Sequence, residues 1–176
     1  SFFVSNGFSI KSLAPDFNES IALSIFAWPL KEIITTIKNK EKYAGDYTKV
    51  VYRSLWERQT FKWCDNNPNV RYWNSEEIVI PYKFQVDKKV HRYFTDLFIE
   101  MKDGKRFLIE IKPKKETVPP KKGKRKTKRY AQEAYTFIKN QDKWEAANQY
   151  AEHKGWKFQV WTEDTLKGLG IKLLKS

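Results

Sequence analysis

The sequence predicts an α/β fold, a mixed β-sheet flanked by helices, on three observations. Two β-rich runs, "HRYFTDLFIEM" and "KRFLIEIK", meet at Lys102-Asp103-Gly104, which is a hairpin signal. The stretch "YAQEAYTFIKNQDKWEAANQYAEHKG" reads as a long helix closed by Gly155. "WKFQVWT" then supplies a further strand, and a strand that follows a helical crossover makes the sheet mixed.

The other elements follow in order. In "TKVVYRSLWERQTFKWCDNNP", Tyr52, Leu55, Trp56, Phe61, Trp63 and Cys64 approximate a helical apolar stripe, and Asp65-Asn66-Asn67-Pro68 supplies a stop. "EEIVIPYKF" (76–84) reads as a strand that Pro81 confines to an edge or an end, because proline has no N–H for a ladder. "KPKKETVPPKKGKRKTKR" is a loop, and "TEDTLKGLG" is a short helix with Thr162 as N-cap and acids in its first turn. Residues 1–37 carry few charges and no motif, and a short helix over 19–37 is the element suggested there. The patterned domain runs over 38–176.

Composition narrows the class of function. A chain of 176 residues with 40% hydrophobic and 16% aromatic content is long enough for one domain with its own core. Its 34 basic residues against 21 acidic ones leave a net charge of +13. Such an excess costs self-repulsion and points to a polyanionic partner. The single cysteine, Cys64, excludes an intramolecular disulfide and fits a reducing compartment. No apolar run reaches the roughly 20 residues that span a bilayer. The longest, 21–30, meets Pro29 and then Lys31-Glu32, and it lacks the pattern of a signal peptide. The chain opens on Ser1, and its one methionine is Met101, as expected of a fragment or a processed product.

The chemistry is concentrated in "FLIEIKPKKE" (107–116). Glu110 and Lys112 are two positions apart, so on a strand both side chains leave the same face. Asp96, in "YFTDLF", is the acid across the hairpin. A three-residue Lys102-Asp103-Gly104 loop pairs Met101 with Lys105 and Asp96 with Glu110, which brings all three charges to one face. A two-residue Asp-Gly turn pairs Asp96 with Ile111 and separates the acids. Two carboxylates this close repel unless a cation lies between them. Oxygen donors without a histidine or cysteine cluster favour Mg²⁺, with Mn²⁺ as the alternative. An adjacent lysine can orient or help deprotonate an attacking water and balance charge on a scissile phosphate.

The pattern Asp…(Asp/Glu)-x-Lys on adjacent strands resembles that of the PD-(D/E)xK nuclease superfamily, with a restriction-endonuclease-like core. The stretch 43–170 more specifically resembles the head completion nuclease family of T-even bacteriophages, and in fold the endonuclease subunit of TnsA-type transposases. That resemblance is carried by "YRSLWE", "NNPNVRYWNSEEIVIPY", "RYFTDLFI", "FLIEIKPKKETVPP", "KRYAQEAYTF", "DKWEAA" and "KGWKFQVWTED". It implies Asp96 and Glu110 as metal ligands, Lys112 as catalytic lysine, and Glu57, in "YRSLWERQTF", as a further metal-binding acid on the preceding helix. It also implies a virion or host-cytoplasm setting, with phage capsid or neck proteins as partners and double-stranded DNA as substrate. Residues 1–37 have no counterpart in it.

Between Lys112 and Arg129 stand ten basic residues and one acid, Glu116, a net of +9 in eighteen positions. Pro119-Pro120 and Gly123 oppose regular structure, so Lys114, Lys115, Lys121, Lys122, Lys124, Arg125, Lys126, Lys128 and Arg129 read as a loop that contacts phosphates. His91 and Arg92 are further candidates for DNA contact. No recognition helix is evident. Trp56, Trp63, Tyr72, Trp73, Tyr135, Trp144 and Trp161 could stack on bases, but at their spacings the core is the better reading. Cys64 is expected to be a small core residue, and His153 to favour a helix C-terminus. Two alternatives to phage-head cleavage remain open: a neck or DNA-end-binding protein without required cleavage, and a transposition or repair nuclease of the same superfamily.

Overall fold

The computed structural model describes residues 33–34, 37–121, 123 and 127–174. Short strands β1 (Ile33–Ile34) and β2 (Val51–Tyr52) pair antiparallel and precede helix α1 (Leu55–Asn66). Then come strands β3 (Val70–Asn74), β4 (Val79–Lys83), β5 (Val90–Phe94), β6 (Leu97–Met101) and β7 (Arg106–Ile111). The long helix α2 (Lys128–His153), strand β8 (Lys157–Trp161) and helix α3 (Glu163–Gly168) complete the fold. The central sheet has the order β3-β6-β7-β8 and is mixed: β8 runs parallel to β7, and the other pairs are antiparallel. The expected crossover is therefore α2.

Period-two alternation in β6 and β7 divides the core between the two faces of this sheet. Leu97, Ile99, Ile109 and Ile111 pack with Phe61, Cys64, Val70 and Trp73 on the α1 side. Phe98 and Leu108 pack with Ile80, Tyr82, Tyr93 and the Ala134, Ile138, Ala147 stripe of α2 on the other. Side chains with even numbers in β6 and β7 thus point toward α2.

The aromatic reading holds for most positions. Trp73, Tyr135, Trp144 and Trp161 are buried, and Trp56 and Trp63 pack partly buried against the core, whereas Tyr72 is exposed. Cys64 is fully buried. His153 occupies the last turn of α2, and Gly155, at φ +69°, follows its end.

Several expectations are corrected. "HRYFTDLFIEM" is two strands in different sheets, because the chain leaves the β4–β5 ribbon at Thr95-Asp96 before joining the central sheet. β3 was not anticipated: the register shift between Val70 and Tyr72 breaks the alternation by which a strand is recognised. Tyr52 belongs to β2, and α1 begins only after Ser54, whose side chain accepts from the Glu57 N–H. Pro81, by contrast, agrees with expectation: among the described residues β4 pairs only with β5 and is an edge strand, in which a missing N–H is tolerated. The basic loop is shorter than expected, since Lys114–Glu116 form a 3-10 turn and Lys128 and Arg129 already belong to α2. Thr162 stands at the N-cap of α3 but makes no side-chain capping bond. The short helix suggested over 19–37 lies outside the described residues except near its end, where Ile33–Ile34 form a strand and Ile37 is buried in the core. Just beyond it, the Asp65 carboxylate accepts the backbone N–H groups of Lys38 and Asn39 and ties that segment to α1.

Candidate active site

The site is set by the β6–β7 hairpin. Its loop is Lys102-Asp103-Gly104: the Met101 N–H donates to the Lys105 carbonyl at 2.8 Å, and the Gly104 N–H to the Met101 carbonyl at 3.0 Å. Gly104 adopts φ +84°, the left-handed conformation that three-residue turns require and glycine supplies without strain. Leu97 pairs with Ile109, so the next position places Asp96 opposite Glu110. The odd-length loop expected from the sequence is present, and with it the shared face.

Glu110 is almost fully buried, at 1% exposure. One carboxylate oxygen lies 3.3 Å from Lys112 Nζ, and the other accepts from the Tyr93 hydroxyl at 2.5 Å. Asp96 Oδ2 accepts the Ile111 backbone N–H at 2.8 Å. Burial and the neighbouring Glu110 push the Asp96 carboxyl well above the ordinary carboxylate range, partly opposed by Lys112. Burial pulls the Lys112 ammonium down, but the Glu110 and Asp96 carboxylates outweigh it and hold the group well above the usual lysine range. Lys112 therefore stays charged at neutral pH.

Glu57 stands in the first turn of α1, electrostatically coupled to both Lys112 and Asp96. It also closes a capping box. The Ser54 hydroxyl donates to Oε1 at 2.8 Å, the Arg53 N–H donates to Oε2 at 2.7 Å, and the Glu57 N–H donates back to Ser54 at 3.2 Å. Burial raises its carboxyl above the usual range against these bonds. Asp96, Glu110 and Lys112 thus come together, with Glu57 beside them but already engaged in capping.

The basic residues are less uniform than the sequence suggests. Lys114 pairs with Asp164 at 2.8 Å, and its backbone N–H donates to Glu163, so it ties the turn after β7 to α3. Arg129 pairs with Glu133 at 2.9 Å. Lys115, Lys121 and Arg129 line an open cleft of about 610 Å³ between the loop and the start of α2, walled by Val118, Pro119, Pro120 and Phe137. Lys128 is exposed on the first turn of α2. Lys122, Lys124, Arg125 and Lys126 lie outside the described residues. His91 pairs with Asp87 at 2.7 Å beside Tyr82 and Phe84, and Arg92 lies over the Phe94 ring. Both sit on β5.

Two residues at the site were not singled out from the sequence. Tyr93 donates to Glu110, and Lys143 of α2 lies over the Tyr93 ring with Nζ 4.9 Å from its centroid. Lys143 is held below the usual lysine range by burial and by Lys112, against the attraction of Glu110 and Asp96. In the sequence, Tyr93 is one aromatic among many in a strand and Lys143 one charge among many on a helix.

Comparison with known proteins agrees with this fold. A family model described as "TnsA-like endonuclease N terminal" matches residues 67–163, more than half of the chain. The chain belongs to the TnsA-like endonuclease family. The match covers Asp96, Glu110 and Lys112 and ends beyond β8, so the family's domain contains the whole central sheet. The "Head completion nuclease" of Enterobacteria phage T4 is 48% identical over 139 residues, which span 77% of this chain and 93% of that protein. As in other members with a restriction-endonuclease-like fold, helices flank a mixed sheet. Among the described residues, no helix is long and apolar enough to cross a membrane.

Proposed function

We infer that this TnsA-like nuclease is a Mg²⁺-dependent DNA endonuclease, with Mn²⁺ as an alternative ion, that acts in phage head completion after packaging. The observation that carries the reading is the meeting of Asp96, Glu110 and Lys112 on one sheet face. The head-completion setting, and with it capsid or neck partners and a place in the virion or the infected cytoplasm, rests on similarity to the phage T4 nuclease.

The donor set fits a hard divalent cation. Both acids offer oxygens, and burial together with repulsion from Glu110 lifts Asp96, a strain that a cation between the two would relieve. Among the described residues no cluster of three or more His, Cys, Asp and Glu is arranged to hold a metal ion, so the reading rests on the two acids and needs water to complete the ion's coordination. Asp96 and Glu110 would hold the ion, with Glu57 as a third acid once released from its cap. When bound, the ion would polarise the phosphoryl oxygen and make water a better nucleophile.

The chain's own groups do the rest. Lys112, fixed by Glu110, donates hydrogen bonds to the attacking water and offsets charge on the scissile phosphate. It would orient the attacking water or help to deprotonate it. Attack at phosphorus forms a new P–O bond and breaks the P–O3′ bond. The attacking water gives up a proton to solvent and the leaving 3′ oxygen takes one from solvent, giving 3′-hydroxyl and 5′-phosphate ends. Lys115, Lys121, Lys128 and Arg129, with Lys122, Lys124, Arg125 and Lys126 of the same loop, would hold the flanking phosphates. His91 and Arg92 on β5 are secondary contacts in this reading.

The test is plasmid cleavage by wild type, Asp96→Ala and Lys112→Ala, each in Mg²⁺, Mn²⁺ and EDTA. Cleavage by wild type alone, abolished by EDTA, is expected. Equal outcomes for all three proteins, independent of metal, would overturn the reading.

A further inference from the structure

We propose that Tyr93 is a positioning residue for Glu110, and that Lys143 clamps Tyr93 in the orientation that does this. The inference rests on the reading of Glu110 as a cation ligand and assigns the group that aims it.

Glu110 is buried with its two oxygens bound to different partners, Lys112 Nζ on one and the Tyr93 hydroxyl on the other. A carboxylate held at both oxygens cannot rotate about its terminal torsion, which is otherwise a broad, soft degree of freedom. Lys112 is only 3.3 Å away and is itself needed by the phosphate, so Tyr93 is the partner whose sole visible task is orientation. Among the described residues its hydroxyl makes no other hydrogen bond, and Tyr93 is 1% exposed.

The tyrosine is supplied from outside the central sheet. Among the described residues β5 pairs only with β4, where Tyr93 faces Ile80, so the ribbon must be fixed against the sheet for the bond to persist. Lys143 provides one such fixing point from α2, with its ammonium over the ring face. A cation there is attracted to the ring's negative face and withdraws density from the phenol, which makes its O–H a better donor. Three separate elements, β5, β7 and α2, therefore meet in the chain Lys143–Tyr93–Glu110. Groups that hold a metal ligand from behind commonly change affinity by tenfold or more when removed.

The experiment is calorimetric titration of the intact protein with Mn²⁺ alone, alongside thermal melting and steady-state cleavage, for wild type, Tyr93→Phe, Lys143→Gln and Lys143→Arg. Tyr93→Phe keeps the ring and loses the hydroxyl. It is expected to bind Mn²⁺ about tenfold more weakly, with lower kcat and unchanged KM for DNA. Lys143→Gln should move both quantities the same way by less, and Lys143→Arg should restore them, since arginine also stacks on a ring. Wild-type Mn²⁺ affinity in Tyr93→Phe overturns the positioning role. A Lys143→Gln protein with altered KM but wild-type Mn²⁺ affinity overturns the clamp. If Tyr93→Phe does not fold, the Lys143 pair carries the test, because that side chain is only partly buried. Failure of the wild type itself to bind Mn²⁺ would sink the reading of the site, a different result from either.

Discussion

Ile111 and Asp96 are joined by a hydrogen bond from the backbone N–H of one to the carboxylate of the other, 2.8 Å long. The bond fastens an acid that precedes β6 to the strand that carries Glu110. Burial and Glu110 nevertheless raise the Asp96 carboxyl well above its usual range. A folded state that holds its proton more tightly than the unfolded chain loses stability as pH rises from the ordinary carboxylate value toward the raised one, and the loss persists above it. Asp96→Asn keeps the acceptor and removes the charge. Without divalent ions at neutral pH it should stabilise the protein by about 1–2 kcal/mol, a Tm gain of a few degrees. The gain should shrink as pH falls toward the ordinary range. Melting in EDTA across pH checks this, and an unchanged or lower Tm at neutral pH contradicts it.

Glu57 caps α1, and one substitution separates that role from the proposed one in cleavage. Glutamine retains the capping-box geometry, whereas alanine deletes it. Glu57→Ala should cost about 1 kcal/mol of stability, and Glu57→Gln almost none. If the charge also serves cleavage, Glu57→Gln should cut at least tenfold more slowly while melting like the wild type. Parallel melting and cleavage assays read both, and undiminished cleavage would confine Glu57 to capping.

Lys115, Lys121 and Arg129 line one cleft. Replacing the three together by glutamine should lower the magnitude of the log–log salt slope of DNA binding by about 2–3, since each neutralised phosphate contributes close to one. Turnover at saturating DNA should hold. Anisotropy titrations between low and moderate salt measure the slope, and a parallel shift without a change of slope would place the phosphates elsewhere.

Gly104 meets nothing that an added Cβ would strike, so only its backbone conformation resists substitution. Gly104→Ala should cost about 1 kcal/mol, and Gly104→Asn less, because asparagine tolerates the left-handed region. Cleavage at a temperature where both remain folded should match wild type. Denaturant midpoints with equal slopes report the cost.

Much of this was legible from the chain. The hairpin turn, the long crossover helix and the last strand each carry a local signal, but the choice between a two- and a three-residue turn, and with it the register that brings Asp96 to Glu110, came from the structure. What was missed depends on packing between distant segments. β3 is obscured by its register shift, and nothing local announces that "HRYFTDLFIEM" changes sheets at Thr95-Asp96. Tyr93 and Lys143 acquire meaning only because the β4–β5 ribbon and α2 fold over Glu110. The reach of Lys114 to Asp164 was hidden for the same reason, as the two are fifty positions apart.

The odd number of residues in the Lys102-Asp103-Gly104 turn has an evolutionary consequence. Insertion or deletion of one codon there slips one strand past the other and turns Asp96 toward the opposite side from Glu110. Every acid and lysine would still be present, and an inventory of residues would score such a descendant as competent. On the proposed mechanism it would keep its DNA-binding lysines and lose cleavage. In this lineage, loss of activity can be written in the spacing between functional residues as readily as in the residues themselves.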